Sequence, residues 1–123
     1  MLSTPQAGIL SIAGNNPTNF YEVLDGTWWA IDRHLMMDGT RASATALHMD
    51  SIKQGVTTIF DHHASYGEIP GTLHTIAEES KRLGLRSCLC YEVSDRDGEE
   101  KCLQAIQMCI RDRTATPSFP SPN

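Results

Sequence analysis

Two short runs of strand-forming residues, held apart by a helical stretch, constrain this chain more than anything else in it. The first is Gly55-Val56-Thr57-Thr58-Ile59-Phe60-Asp61, and the second runs from Leu85 to Val93. Val, Thr, Ile and Phe fit a pleated, buried surface. A short, nearly continuous apolar or β-branched run is the pattern of a strand covered on both faces. Between the two lie a Pro70-Gly71 turn and then Leu73, Ile76, Ala77 and Leu83 at helical spacing, closed by Gly84. That connection is too long for a hairpin. Strand, crossover helix and second strand make a parallel βαβ unit. Strands near 55–61 and 85–93 are therefore expected, with a helix near 72–83 capped by Thr72.

The flanking segments read as helices. Asn19 and Glu22 have capping-box spacing, and Phe20, Leu24, Trp28, Ile31 and Leu35 recur at steps of three and four, which predicts a helix over 19–35. Gly26 weakens it by up to about 1 kcal/mol relative to Ala. Trp28 and Trp29 cannot share one face of a regular helix. Trp28 is expected in the core, and Trp29 at the mouth of a site or against a neighbouring subunit. A helix near 40–54 would bury Ala44, Leu47, Ser51 and Ile52, leave His48 and Asp50 at a solvated rim, and stop at Gly55. Asp97, three residues before Glu100, can cap a helix near 98–107. His74 reads as a surface residue. Asp95-x-Asp97-Gly98 has the opening of a calcium loop without the remaining ligands.

In parallel α/β folds, chemistry is done at the C-terminal ends of the strands. Here those ends carry Asp61, His62 and His63 on the first strand and Glu92 on the second. Alternation puts Asp61 and His63 on one face, toward a site, and His62 on the other, toward the helices. On the second strand it puts Leu85, Ser87, Leu89, Tyr91 and Val93 under helices. Arg86, Cys88, Cys90 and Glu92 then lie opposite, with Glu92 at the mouth. An Asp beside a His can fix its tautomer and orientation. Two loop histidines without such a role, or direct metal ligation by His62 or His63, are the competing readings. Cys88-x-Cys90 fits two small buried hydrophobes better than a metal pair.

The stretch GVTTIFDHHAS, followed by GTLHTIAEESKRLGLRSCLCYEVSDRDG and preceded by GNNPTNFYEVLDGTWWAIDRHL, resembles the metal-dependent amidohydrolase superfamily. The similarity is to its cytosine/guanine-deaminase-like and triazine-chlorohydrolase-like branch, and to the SsnA-type aminohydrolases within it. It extends from about Ile9 to about Gln107. The resemblance implies a (β/α)8 TIM barrel, which needs about 250 residues. A chain of 123 residues would then be a partial barrel segment of about two parallel strands and three to four helices, residues 1–107 of a larger enzyme.

The resemblance also implies the chemistry. A divalent metal, zinc or iron, activates a water that hydrolyses a C–N bond, deaminating a small heterocyclic substrate. The implied ligands are a His-x-His pair, two later histidines and an aspartate. His34, His48, His62, His63 and His74 never fall two apart, so no metal ligand is assigned here. The fragment is expected to bind no metal and to be inactive alone. Asp61, His62, His63 and Glu92 would touch the substrate or the groups that hold it. A homo-oligomeric parent is compatible with this reading. The alternative is a small non-catalytic module, binding metal through His62, His63 and the Cys pair or binding a partner.

Composition limits the rest. The formal net charge of -5 argues against a basic groove for nucleic acid and against a polybasic membrane patch. No apolar run is long enough to span a bilayer, and no secretory signal pattern opens the chain. Cys88, Cys90, Cys102 and Cys109 then read as reduced thiols of a cytoplasmic protein. Met108 to Arg113 fits no pattern of the family, and 114–123 is Pro-rich and of low complexity. Residues 108–123 are expected to form a non-native or disordered tail outside the fold.

Overall fold

The computed structural model describes residues 17–114, with side chains through Cys109. Helix α1 (Phe20–Val23) passes through a π-helical turn (Leu24–Trp28) into α2 (Trp29–His34). Helix α3 (Met37–Lys53), strand β1 (Thr58–His63), helix α4 (Thr72–Leu83), strand β2 (Arg86–Tyr91) and helix α5 (Glu99–Thr114) follow. Residues 115–123 of the expected tail lie outside the described residues.

The two strands pair in parallel, from Thr58 opposite Arg86 to His63 opposite Tyr91. With α4 as the crossover, they form the βαβ unit the sequence predicts. Helix α4 packs on α3 and on β2, and α5 packs on β2. The core lies between: Ala44, Tyr66, Ile69, Leu73, Ile76, Tyr91 and Ala105 are buried together. Helix α4 supplies Leu73 and Ile76, which fall on one stripe, and Gly84, at φ 79°, ends the helix in the left-handed region.

Several boundaries move, for physical reasons. Strand β1 starts at Thr58, not Gly55. Gly55 sits at φ 79°, and the Gly55 and Val56 N–H groups donate back to Ile52 and Ser51 at 2.9 Å. The chain is thus still closing α3, and the ladder opens only where Arg86 donates to the Thr57 carbonyl. The strand consequently runs through the Asp61-His62-His63 triplet. Helix α3 starts three residues early because the Glu68 carboxylate accepts from the Met37 N–H at 2.8 Å, an acceptor contributed from outside the helix. The N-cap of α4 is Gly71, and Thr72 instead donates its hydroxyl to the Ile69 carbonyl. Helix α5 does not stop at Gln107. It continues through Thr114, and Met108 and Cys109 pack against the core.

Faces are corrected too. His48 is not on a rim: it is fully buried between α3 and α4, with Nε2 3.4 Å from the Ser80 hydroxyl. Ile52, expected inside, is 43% exposed. On β1, Asp61 and His63 are buried while His62 is exposed. In the parallel register they stand beside Leu89 and Tyr91, which pack with the helices. The alternation is as expected, but its direction is reversed: Asp61 and His63 face the helices, and His62 shares the open face with Phe60, Cys88 and Cys90. The two cysteines on that face are exposed, not buried hydrophobes.

A cleft at the strand ends

The chain leaving β1 is stitched to the end of α2, and this creates the cleft. The Tyr66 and Gly67 N–H groups both donate to the Asp32 carbonyl, at 2.8 and 2.9 Å. These bonds satisfy an orphan acceptor at the helix C-terminus. Gly67 is required there, because a Cβ would come within 2.8 Å of the Arg33 carbonyl oxygen and 2.9 Å of that of Leu35. The Ser65 hydroxyl donates to the Leu35 and Glu68 carbonyls. The Tyr91 hydroxyl donates to the Ser65 carbonyl.

Between this seam and the helices lies a cavity of about 190 Å³. Leu24, Trp28, Trp29, Asp32 and Leu35 line it from the helix side, and His62, His63, Ala64, Ser65 and Glu92 from the strand ends. Its volume is below the usual range for drug-sized ligands, roughly 300–1,000 Å³, so it suits a ligand of one or two rings. Both tryptophans reach it, contrary to the expected split between core and rim. The π-helical turn over Leu24–Trp28 changes the angular step between neighbours, and Gly26 lies within it.

Arg96 sits behind the cleft and pairs with two of its lining carboxyl groups. Its guanidinium pairs with Asp32 at 3.1 Å, with Asp97 at 3.3 Å and with Glu92. It also lies 4.5 Å from the Tyr66 ring centre and 5.3 Å from that of Trp29, a cation–π arrangement. Arg33 holds the other Asp97 oxygen at 2.6 Å, and the Tyr66 hydroxyl donates to the Glu92 carbonyl at 2.9 Å. The polar loop after β2 is therefore bolted to α2 by paired, largely buried charges.

Burial sets the protonation states. His63 is 3% exposed, and desolvation pushes its imidazole down to about 4, against the opposing pull of the Asp61 carboxylate. Its ring stands edge-on to Tyr91, with centres 5.4 Å apart. Burial likewise pushes the Asp32 carboxyl up to about 7, although Arg96 pulls the other way. Near neutral pH the cleft thus holds an uncharged imidazole and a carboxyl that burial makes easy to protonate.

Of the expected site residues, His62, His63 and Glu92 line the cleft, whereas Asp61 lies beneath it on the helix-covered face. Asp32 and Arg96 were missed. Asp32 follows Trp28 by four residues, so helical spacing could have placed it beside that ring. Arg96 carries no such signal, being one charge in a polar loop.

These residues do not fit a catalytic metal. Among the described residues, no three His, Cys, Asp or Glu side chains are grouped to hold one. His62 and His63 leave the strand on opposite faces, and Glu92 is engaged by Arg96. The proposed His62–His63–Cys set cannot converge, because His63 points away from Cys88 and Cys90. No helix among the described residues is long and apolar enough to cross a membrane. No protein-family model matches the chain, and no solved structure matches it significantly.

Proposed function

We propose that the chain is a segment of a TIM-barrel aminohydrolase of the metal-dependent amidohydrolase class, and that the cleft is its share of the substrate site. The observation carrying this reading is the position of the cleft. It opens at the C-terminal ends of two parallel strands, where such folds bind substrate, and it contains His62, His63 and Glu92 from the motifs that resemble the family. The substrate class is a small nitrogen heterocycle that loses an amino group. A metal bound elsewhere in the complete enzyme would supply the activated water. The residues described here bind and orient the ring against Trp28 and Trp29 and exclude solvent.

The test is ammonia release from amino-substituted pyrimidines, purines and triazines by the protein of the complete reading frame, with and without a chelator. Chelator-sensitive release supports the proposal. A complete frame with no His-x-His pair upstream, or one that releases no ammonia from any of these rings, rejects it. A second reading, a non-catalytic interaction module, is favoured by Phe60, which is 80% exposed on the open sheet face.

A further inference from the structure

We propose that Cys88 and Cys90 form a linear two-thiolate site for a soft, thiophilic cation of the Cu(I) type on the open face of the sheet. The inference stands apart from the aminohydrolase reading and does not rest on it.

The spacing of the pair carries it. Both thiols are free and exposed, so the burial that favoured a hydrophobic role is gone. Two residues apart on β2, they leave the strand on the same face. A rise of roughly 3.3 Å per residue sets their Cα atoms roughly 6.6 Å apart. Their Cβ atoms leave the strand side by side and stay near that separation, beyond the roughly 3.5–4.5 Å that a disulfide needs. One bridging ion fits where a disulfide does not. With metal–thiolate bonds of roughly 2.3 Å, a linear sulfur–metal–sulfur unit spans roughly 4.6 Å. Two thiols reach that distance by leaning toward each other in staggered rotamers.

The surroundings fit the same ion. The Cys90 sulfur makes one long contact among the described hydrogen bonds, 3.7 Å to the Asp61 carbonyl oxygen, and none of them involves Cys88. Cys109, by contrast, accepts the Tyr91 N–H at 3.1 Å and packs against the core. A hollow of about 170 Å³ adjoins the pair, lined by Phe60, Asp61, His62, Cys88, Leu89 and Cys90. Phe60 stands opposite Cys88 and His62 opposite Cys90, so an aromatic ring and an imidazole wall the pair on the β1 side. Within the two strands this face carries no carboxylate to attract a hard cation. Arg86, on the same face, is held by the Thr57 and Thr58 hydroxyls at 3.0 Å.

Thiolates select soft ions such as Cu(I), and two of them suffice for a linear site. Structural zinc takes four ligands, and among the described residues no three His, Cys, Asp or Glu side chains are grouped to hold an ion. Each thiol gives up its proton on binding, so affinity rises with pH.

The experiment is an anaerobic titration of the full chain with Cu(I) against a chromogenic Cu(I) chelator, at pH 6 and pH 8, with circular dichroism to verify the fold. One Cu(I) per chain should bind, more tightly at pH 8, and X-ray absorption should show two sulfur neighbours. Cys88→Ser and Cys90→Ser should each weaken binding about a hundredfold, since half the ligand set is lost. Cys102→Ser and His62→Ala should leave it unchanged, and zinc should not reach one equivalent. Parent-like binding in Cys88→Ser or Cys90→Ser, an equal loss in Cys102→Ser or His62→Ala, or stoichiometric zinc would overturn the proposal. So would one Cu(I) shared between two chains in sedimentation velocity. Both thiols are exposed, so these variants should fold; Cys88→Ala and Cys90→Ala decide if the serine pair does not.

Discussion

Lowering the pH should cost this protein the stability that burying a neutral His63 depends on. A histidine in the unfolded chain takes up a proton near pH 6.5, whereas His63 in the fold does so only near 4. Below about 6.5 the unfolded state therefore binds more protons, and stability falls with pH until it levels off below about 4. Each pH unit inside that window is worth about 1.4 kcal/mol. From pH 7.5 to pH 5 the loss is then about 2 kcal/mol, and over the full window about 3 kcal/mol. His48 is also held below its ordinary value by burial and acts with the same sign, whereas Asp32, raised to about 7 by burial, acts with the opposite sign, so the effect must be isolated by difference. Urea unfolding of the parent chain and of His63→Gln and His63→Leu, at half-unit steps from pH 7.5 to 5, does this. Both variants are expected to be less stable at pH 7.5 and to lose about 2 kcal/mol less across the range. If parent and variants show the same slope, the imidazole is not held neutral by burial.

Three further outcomes follow from the packing. Gly67→Ala should destabilise by roughly 1–3 kcal/mol, read as a lower urea midpoint, because its Cβ meets two carbonyl oxygens within 2.9 Å; an unchanged midpoint would mean the seam between β1 and α2 is loose. Arg96→Met should cost about 3 kcal/mol, since Asp32, Glu92 and Asp97 lose a shared counter-charge; thermal melts at low and high pH should show the cost shrinking as the carboxyls protonate. Ending the chain at Gln107 should cost about 1–3 kcal/mol, because Met108 and Cys109 pack on the core; an equal melting temperature would place the end of the folded unit at 107.

The βαβ unit was legible because its signals are local. Period-two and period-3.6 patterns, Pro70-Gly71 and Gly84 all act within a few residues of where they sit. The face assignment was not, because alternation gives two sets of residues and no direction. Asp61 and His63 fall on the helix-covered side only because the register sets them beside Leu89 and Tyr91, a long-range fact. His48 failed for a related reason. A polar side chain on an otherwise weakly amphipathic helix looks solvated until Ser80 of the crossover helix comes to rest against it. Arg96 and Asp32 are 64 residues apart, and no sequence pattern links a loop arginine to the end of a distant helix. The end of α5 was missed because family resemblance stops at Gln107, whereas the packing that holds Met108 and Cys109 ignores where resemblance ends.

The reversed face changes what the open side of the sheet means. Phe60, His62, Cys88 and Cys90 lie there exposed, Phe60 at 80%, and no strand among the described residues pairs with the outer edge of β1 or β2. A large exposed aromatic on a sheet with two open edges is a template for association. In a closed parallel barrel the same side chains would face inward, both edges would be paired, and α3, α4 and α5 would remain on the outside. The helix-covered face carrying Asp61 and His63 would then be the outer layer, and only groups at the strand tips would reach substrate. In that arrangement the substrate contacts would be Asp32, His62 and Glu92 rather than Asp61, with His63 kept by its place at the very end of β1. Phe60→Lys separates the two arrangements. In the isolated chain this change should reduce concentration-dependent association in sedimentation velocity at little cost in stability, since an exposed site tolerates charge. In a complete barrel it should prevent folding, because an unpaired charge would be buried among the strands. Improved solubility in both settings would place Phe60 on a true outer surface and remove the barrel from consideration.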